Sequence, residues 1–192
     1  MLIRSIMAFV VLMLSFNAYS KQVDLDRDYA HMNESQLENL NYAYNFGEQF
    51  KKDGNYKDID KLDDIRSEGL GYIFAAIMWK ESAGTLPPKK AGHHSYGLFQ
   101  NYITTVRSRF KQQDIIMTDT EIIQYVSIRE NSAKLAHIEL STWLKVRNGN
   151  MFKSLASYNA GYQYEKATGY ANEVLRRAEW LKKNNKFKII RD

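Results

Sequence analysis

The sequence predicts a mainly α-helical single domain. Apolar residues recur at helical spacing from Ser35 onward, whereas the alternation typical of strands is scarce and FKII near the end is the only strand candidate. No internal repeat or low-complexity segment interrupts this pattern. The chain of 192 residues is long enough for one domain with a sizeable core.

The first twenty residues have the pattern of a secretion signal. Arg4 precedes an apolar run from Ile6 to Leu14, and the segment closes on the small residues Ala18 and Ser20. The run is short for a membrane span, so we expect a signal peptide at 1–20 and an exported protein, periplasmic or extracellular. An anchor that is not cleaved is the alternative. The sequence has no cysteine, which excludes disulfide bonds and thiol chemistry.

The chain carries a mild positive charge. Its 27 Lys and Arg against 22 Asp and Glu give a formal net charge of +5. The basic residues are dispersed instead of forming a stripe, so we do not expect a nucleic-acid partner. This charge favours a weak contact with an anionic surface, either the cell wall or a membrane.

Residues 21–64 are predicted to form an arm and one helix. Lys21–Tyr29 is charged and aperiodic, which predicts an extended arm. A helix is predicted over 35–52 with Ser35 as its cap, followed by a polar connector that Gly54 interrupts.

The most strongly apolar helix is predicted next. Ile73, Phe74, Ile77 and Met78 lie on neighbouring turns, and Gly84 with Pro87–Pro88 cannot continue the helix. Glu81 therefore falls in its last turn.

Further helices are predicted through the rest of the chain. The first runs from about Gly97 to Phe110, with Leu98 and Phe99 in the core. A long apolar segment, capped by Thr118 or Asp119, forms one helix or two. A short helix closed by Gly161 and a final amphipathic helix over 170–184 follow, and 185–192 is a basic tail.

Glu81 is the candidate catalytic residue. A carboxylate in the last turn of a helix meets the negative end of the helix dipole, and Ile77 and Met78 make its surroundings apolar. Both effects favour the protonated form near neutral pH. A protonated carboxyl group is what glycosidic cleavage requires, because the departing sugar oxygen must receive a proton. An exposed glutamate at a helix end is the plainer alternative.

Four short stretches occur in a distinctive order. They are ES at 81–82, YGLFQ at 96–100, SLASYNAGY at 154–162 and YANEVL at 170–175. Together they resemble the motif set of the soluble lytic transglycosylase catalytic domain over roughly 69–181. Phe99 stands where that family has methionine. The resemblance implies a lysozyme-like domain with a glycan-binding cleft, covering 65–184.

The resemblance also implies roles for individual residues. Glu81 corresponds to the single catalytic acid of the family, and no metal or cofactor is implied. The substrate-binding residues implied are Gly97, Gln100, Tyr158, Asn159 and Tyr170. From their chemistry alone, Gly97 would allow a sharp turn or close approach of a sugar, and Gln100 would bind an acetamido group. Tyr158 would donate a hydrogen bond to Glu81 or stack on a ring.

The implied reaction is cleavage of the β-1,4 bond between MurNAc and GlcNAc in peptidoglycan with formation of 1,6-anhydro-MurNAc. Two alternatives remain: a lysozyme-type hydrolase on the same substrate, and a peptidoglycan-binding or assembly module without turnover. The setting is equally open between wall remodelling, a secretion or conjugation machine, and phage lysis or entry. His93 and His94 lack a metal-binding pattern, so a solvated loop is expected there.

Overall fold

Helices form most of the regular structure in the described part of the chain. The computed structural model describes residues 23–50, 69–86, 94–184 and 186–187. The helices are α1 (Leu25–Ala30), α2 (Glu34–Glu48), α3 (Gly71–Ser82), α4 (Ile103–Lys111), α5 (Asp119–Ser127), α6 (Arg129–Val146), α7 (Met151–Ala160) and α8 (Thr168–Lys183), with strands β1 (Ser95–Tyr96) and β2 (Asn101–Tyr102) and a 3₁₀ turn (Tyr164–Ala167). The prediction of a mainly α fold is confirmed.

Helix α3 lies at the centre of the main core. Every residue from Gly71 to Trp79 is buried, so the helix is apolar around its whole circumference. It packs between α2 and α8, and α8 in turn packs on α7. Leu98 and Phe99, 2% and 0% exposed, belong to the same core, as predicted.

The N-terminal part of the fold differs from the prediction in two places. Residues 25–30 form helix α1 instead of an extended arm, because Asp24 caps the helix and Leu25 is buried. Helix α2 begins after Asn33, whose side chain accepts from the backbone N–H of Gln36 while the Gln36 side chain accepts from that of Asn33. Asn33 is therefore the cap that the prediction assigned to Ser35.

A small hairpin stands where the sequence predicted the start of a helix at Gly97. Ser95 pairs with Tyr102 and Tyr96 with Asn101, and residues 97–100 form the turn between them. Gly97 and Gln100 have φ angles of 77° and 50°, which are incompatible with a right-handed helix. Helix α4 therefore begins only at Ile103.

The long apolar segment forms two helices. Thr118, one of the two predicted caps, starts α5 together with the Glu121 side chain, and the extended backbone of Ile128 separates α5 from α6. Helix α7 starts after Asn150 and ends before Gly161, and α8 begins at Thr168, two residues earlier than predicted.

The signal segment, the whole polar connector and the residues beyond Phe187 lie outside the described residues, and so do the last three residues of the strand candidate FKII. Of the basic tail, the Lys186 ammonium lies over the ring of Tyr29, and Phe187 stacks on Tyr44 with ring centroids 4.8 Å apart. Within the described ranges, no helix combines the length and the apolar character that crossing a membrane would need.

Candidate active site

Glu81 lies in the last turn of α3, as predicted, with its side chain half-buried. The helix ends at Ser82 because the next residue, Ala83, adopts a left-handed conformation with φ 51°, whereas the sequence suggested an end at Gly84. Gln36 of α2 donates to the Ala83 carbonyl oxygen over 2.8 Å. The end of the helix that carries Glu81 is thus tied to α2.

Burial raises the pKa of Glu81 from 4.5 to about 7. The Tyr170 hydroxyl group donates a hydrogen bond of 2.5 Å to Glu81 Oε1, and this bond together with the charge of Lys80 lowers the pKa, but by less than burial raises it. Glu81 can therefore hold a proton near neutral pH and also release it there, which is what a general acid that later acts as a base requires.

Tyr158 lies beside Tyr170. Their rings are nearly parallel, with centroids 6.5 Å apart and an interplanar angle of 13°. The Tyr158 hydroxyl group donates to the carbonyl oxygen of Phe99 over 3.0 Å, whereas the hydrogen bond to Glu81 comes from Tyr170. Burial first, and the charge of Glu81 second, raise the pKa of both phenols well above 10, so both stay protonated donors.

The 97–100 turn places Gln100 next to this group. Ser82, which follows Glu81, donates to the Leu98 carbonyl oxygen over 2.7 Å. The Gln100 side-chain amide donates to the Gly97 carbonyl oxygen over 2.9 Å. From the other side, buried Ser132 of α6 accepts from the Phe99 backbone N–H and from the Asn101 side chain. These bonds connect the turn to both α3 and α6.

Two of the predicted binding residues, Gly97 and Asn159, are not members of the group around Glu81. A Cβ atom on Gly97 would lie 2.2 Å from the Val126 carbonyl oxygen and 2.6 Å from Ser132 Oγ, so the atoms that crowd Gly97 are the protein's own. Asn159 is exposed in the last turn of α7, before Gly161 ends the helix. Glu81, Tyr170, Tyr158 and Gln100 form the group that the structure brings together.

Two further carboxylates near this group were not identified from the sequence. Glu173 of α8 accepts from Lys80 over 2.5 Å and from Arg177 over 2.7 Å. Burial would raise the pKa of Glu173, but the bonds from Lys80 and Arg177 lower it below its usual value. The sequence could not predict the contact between Lys80 and Glu173, because no spacing rule relates residues of α3 to residues of α8. The Glu173–Arg177 pair could have been recognised from its i, i+4 spacing.

The second carboxylate, Glu139 of α6, contributes to raising the pKa of Tyr158. Trp143 Nε1 donates to its Oε1 over 2.6 Å, and Arg109 of α4 donates to its Oε2 over 3.0 Å. Gln100, Tyr158, Arg109 and Glu139 line a cavity of about 60 Å³. Only the Glu139–Trp143 pair has helical spacing that the sequence could reveal.

The histidine pair of the sequence lies only partly within the described ranges. His94 is exposed and its ring lies edge-on to Tyr102, while His93 lies outside those ranges. Among the described residues no group of three or more His, Asp or Glu side chains could hold a metal ion.

Comparison with known proteins finds a relative in a bacteriophage. The chain is similar to a protein of Enterobacteria phage T4 that is described as an uncharacterized 20.7 kDa protein in the vs-regB intergenic region. The two are 48% identical over 158 residues, which cover 82% of this chain and 86% of the phage protein. No protein-family profile and no solved structure matches the chain.

Proposed function

The chain belongs to the family of this phage T4 protein, and we propose that it is a peptidoglycan lytic transglycosylase. In this proposal the domain has a lysozyme-like fold, and Glu81, Gln100, Tyr158 and Tyr170 border a glycan-binding cleft. The observation that carries the proposal is the half-buried Glu81 carboxyl group, with a pKa of about 7 and a hydrogen bond from Tyr170.

The proposed reaction uses Glu81 twice. Its protonated carboxyl group donates to the glycosidic oxygen between MurNAc and GlcNAc as the bond from that oxygen to C1 of MurNAc breaks. The acetamido oxygen of the same sugar stabilises the positive centre that develops at C1. The Glu81 carboxylate then accepts the proton of the C6 hydroxyl group while O6 attacks C1, which yields 1,6-anhydro-MurNAc and returns Glu81 to its protonated form.

The two neighbouring carboxylates support a single-acid mechanism. Both oxygens of Glu139 and both oxygens of Glu173 accept hydrogen bonds from protein donors. Hydrogen bonds from protein donors stabilise the charged form of a carboxylate, which makes it a weaker base toward water and a weaker nucleophile toward the sugar. This favours the intramolecular route over the hydrolytic lysozyme reaction.

The remaining parts of the proposal follow from the sequence. A signal peptide at 1–20 would export the protein to the periplasm or the cell surface, where its substrate lies. A relative in a phage is compatible with a role in lysis or entry. Wall remodelling and the service of a secretion or conjugation machine remain the other settings.

The test is the replacement of Glu81 by Gln, with Glu179→Gln on the exposed side of α8 as the matched control. We expect Glu81→Gln to clear a suspension of purified peptidoglycan about 1,000-fold more slowly or worse, because the amide cannot donate and accept the proton as a carboxyl group does. The helical circular dichroism should be unchanged. Clearing that survives in Glu81→Gln contradicts the assignment.

Mass spectrometry of the soluble products separates the related functions. The anhydro product lacks one water relative to the product of a lysozyme, so heavier fragments indicate a hydrolase. Binding of peptidoglycan by the unaltered protein without release of any soluble fragment indicates a module without turnover.

A further inference from the structure

A small pocket adjoins the candidate active site. It has a volume of about 60 Å³, and Tyr158 and Gln100 belong both to it and to the active-site group. The exposed Tyr102 and half-buried Thr105 lie at the same pocket. The volume holds a group of a few atoms, such as a carboxylate, but not a sugar ring.

A fixed guanidinium group lines this pocket. Arg109 and Glu139 are bonded over 3.0 Å, and their side chains are 26% and 19% exposed. Trp143 Nε1 holds the other oxygen of Glu139 over 2.6 Å. The pair is therefore held in place by a third residue, unlike a surface ion pair between two free side chains.

Arg109 keeps donors that its bond to Glu139 does not use. Both Glu139 oxygens already accept hydrogen bonds from protein groups. An arginine has five N–H donors, and among the described residues Arg109 spends one of them, on Nη2, in a hydrogen bond to Glu139. A planar donor group beside a small pocket suits a planar anion, since a carboxylate accepts two parallel hydrogen bonds from a guanidinium group.

We propose that the Arg109 pocket is a subsite for a carboxylate of an acidic peptide carried by the sugar beside the cleaved bond. The proposal rests on the proposed function, because MurNAc in peptidoglycan bears such a peptide on its lactyl group. Arg109 then makes the chain specific for glycan strands that still carry their peptides. The shared residues Tyr158 and Gln100 place the subsite within reach of a group attached to the sugar at Glu81.

The first test compares the cleavage rate on glycan strands that carry peptides with the rate on strands stripped by an amidase. We expect the unaltered protein to cleave the peptide-bearing strands about tenfold faster, which is the contribution of one charge-assisted contact. In Arg109→Gln this ratio should fall towards one. Arg107→Gln is the matched control, since Arg107 lies on the same helix but pairs with the exposed Asp119.

The rate ratio distinguishes a subsite from a structural role. If Arg109 only holds Glu139 and Tyr158 in place, the Arg109→Gln change lowers both rates together and the ratio persists. That result overturns the proposal, as does a ratio near one for the unaltered protein.

A binding measurement decides the question without turnover. Calorimetry on the Glu81→Gln protein would compare muramyl dipeptide, which has a free carboxylate, with its amidated form. We expect about tenfold tighter binding of the acid and no such difference once Arg109→Gln is added. Equal binding of acid and amide overturns the subsite. Failure of the transglycosylase proposal appears separately, as clearing that survives Glu81→Gln.

Discussion

The Ser82 hydroxyl group and the Leu98 carbonyl oxygen join the end of α3 to the 97–100 turn over 2.7 Å. Glu81 precedes Ser82, and Gln100 follows Leu98 by two residues. The bond therefore sets the separation between the candidate acid and the candidate substrate-binding amide. It also gives a buried carbonyl oxygen its partner, because Leu98 is only 2% exposed.

Replacement of Ser82 by Ala should lower both activity and stability. Loss of the hydrogen bond leaves the Leu98 carbonyl oxygen without this donor, which costs about 1–2 kcal/mol in the free energy of unfolding. We also expect a roughly tenfold slower cleavage of peptidoglycan, because misplacement of a catalytic group by less than 1 Å is costly. Urea unfolding and a clearing assay measure the two effects. Ser127→Ala, at an exposed position of α5, is the control, and an unchanged rate in Ser82→Ala contradicts the positioning role.

Replacement of Tyr170 by Phe should move the pH profile upward. The Tyr170 hydroxyl group lowers the pKa of Glu81 by donating to its carboxylate, so its removal raises that pKa above about 7. The basic limb of the rate profile reports loss of the protonated acid and moves to higher pH. The plateau rate falls, because the carboxyl group is no longer oriented. A limb that moves to lower pH in Tyr170→Phe, but not in the exposed control Tyr162→Phe, contradicts this account.

Glu81 should make the stability of the protein depend on pH. Its pKa is 4.5 when unfolded and about 7 in the folded protein. The protonated carboxyl group makes its full contribution to the free energy of unfolding below pH 4.5, and this contribution is lost as the pH rises through 7. Glu81→Gln removes this dependence. The free energy of unfolding of the variant minus that of the unaltered protein should therefore be larger at pH 8.5 than at pH 4.5, by up to about 3 kcal/mol. Urea titrations at the two pH values measure the difference, and equal differences at both would contradict the burial of this carboxyl group.

Replacement of Gly97 by Ala should destabilise the fold far more than the same change at Gly169. At position 97 the new Cβ atom would meet the Val126 carbonyl oxygen, and the φ angle of 77° is unfavourable for alanine. Together these effects should cost at least about 2 kcal/mol. At Gly169, in the first turn of α8, no heavy atom lies within 4 Å of the new Cβ, and alanine is the better helix former. Thermal unfolding of both variants is the measurement, and similar midpoints would be the contrary result.

The helices were predictable wherever one sequence pattern determined them. Helix α3 is apolar on all sides and α8 has one apolar face, so packing and propensity agree in both. Helix α1 was missed because its charged residues resemble a solvated arm. Its stability depends on the Asp24 cap and on ring contacts of Tyr29 with Trp79 and Trp180, which lie far along the chain.

The candidate active-site group was only partly predictable. The helix end and the apolar neighbours of Glu81 predicted its proton affinity, because both are local features of the sequence. The partner of Glu81 was not predictable from local features, since Tyr170 reaches it across 89 residues. The hairpin at 95–102 was missed because the contacts of its turn with Ser132 and Val126 come from other segments of the chain.

The left-handed backbone of Gln100 bears on how this site could evolve. A φ angle of 50° is ordinary for glycine or asparagine but costs other residues about 1 kcal/mol. In a library of all substitutions at this position, selection for thermal stability alone should therefore enrich glycine and asparagine. Selection for cleavage of peptidoglycan should instead retain glutamine. The difference in the free energy of unfolding between the two sets of variants would then measure the stability that the glutamine side chain costs.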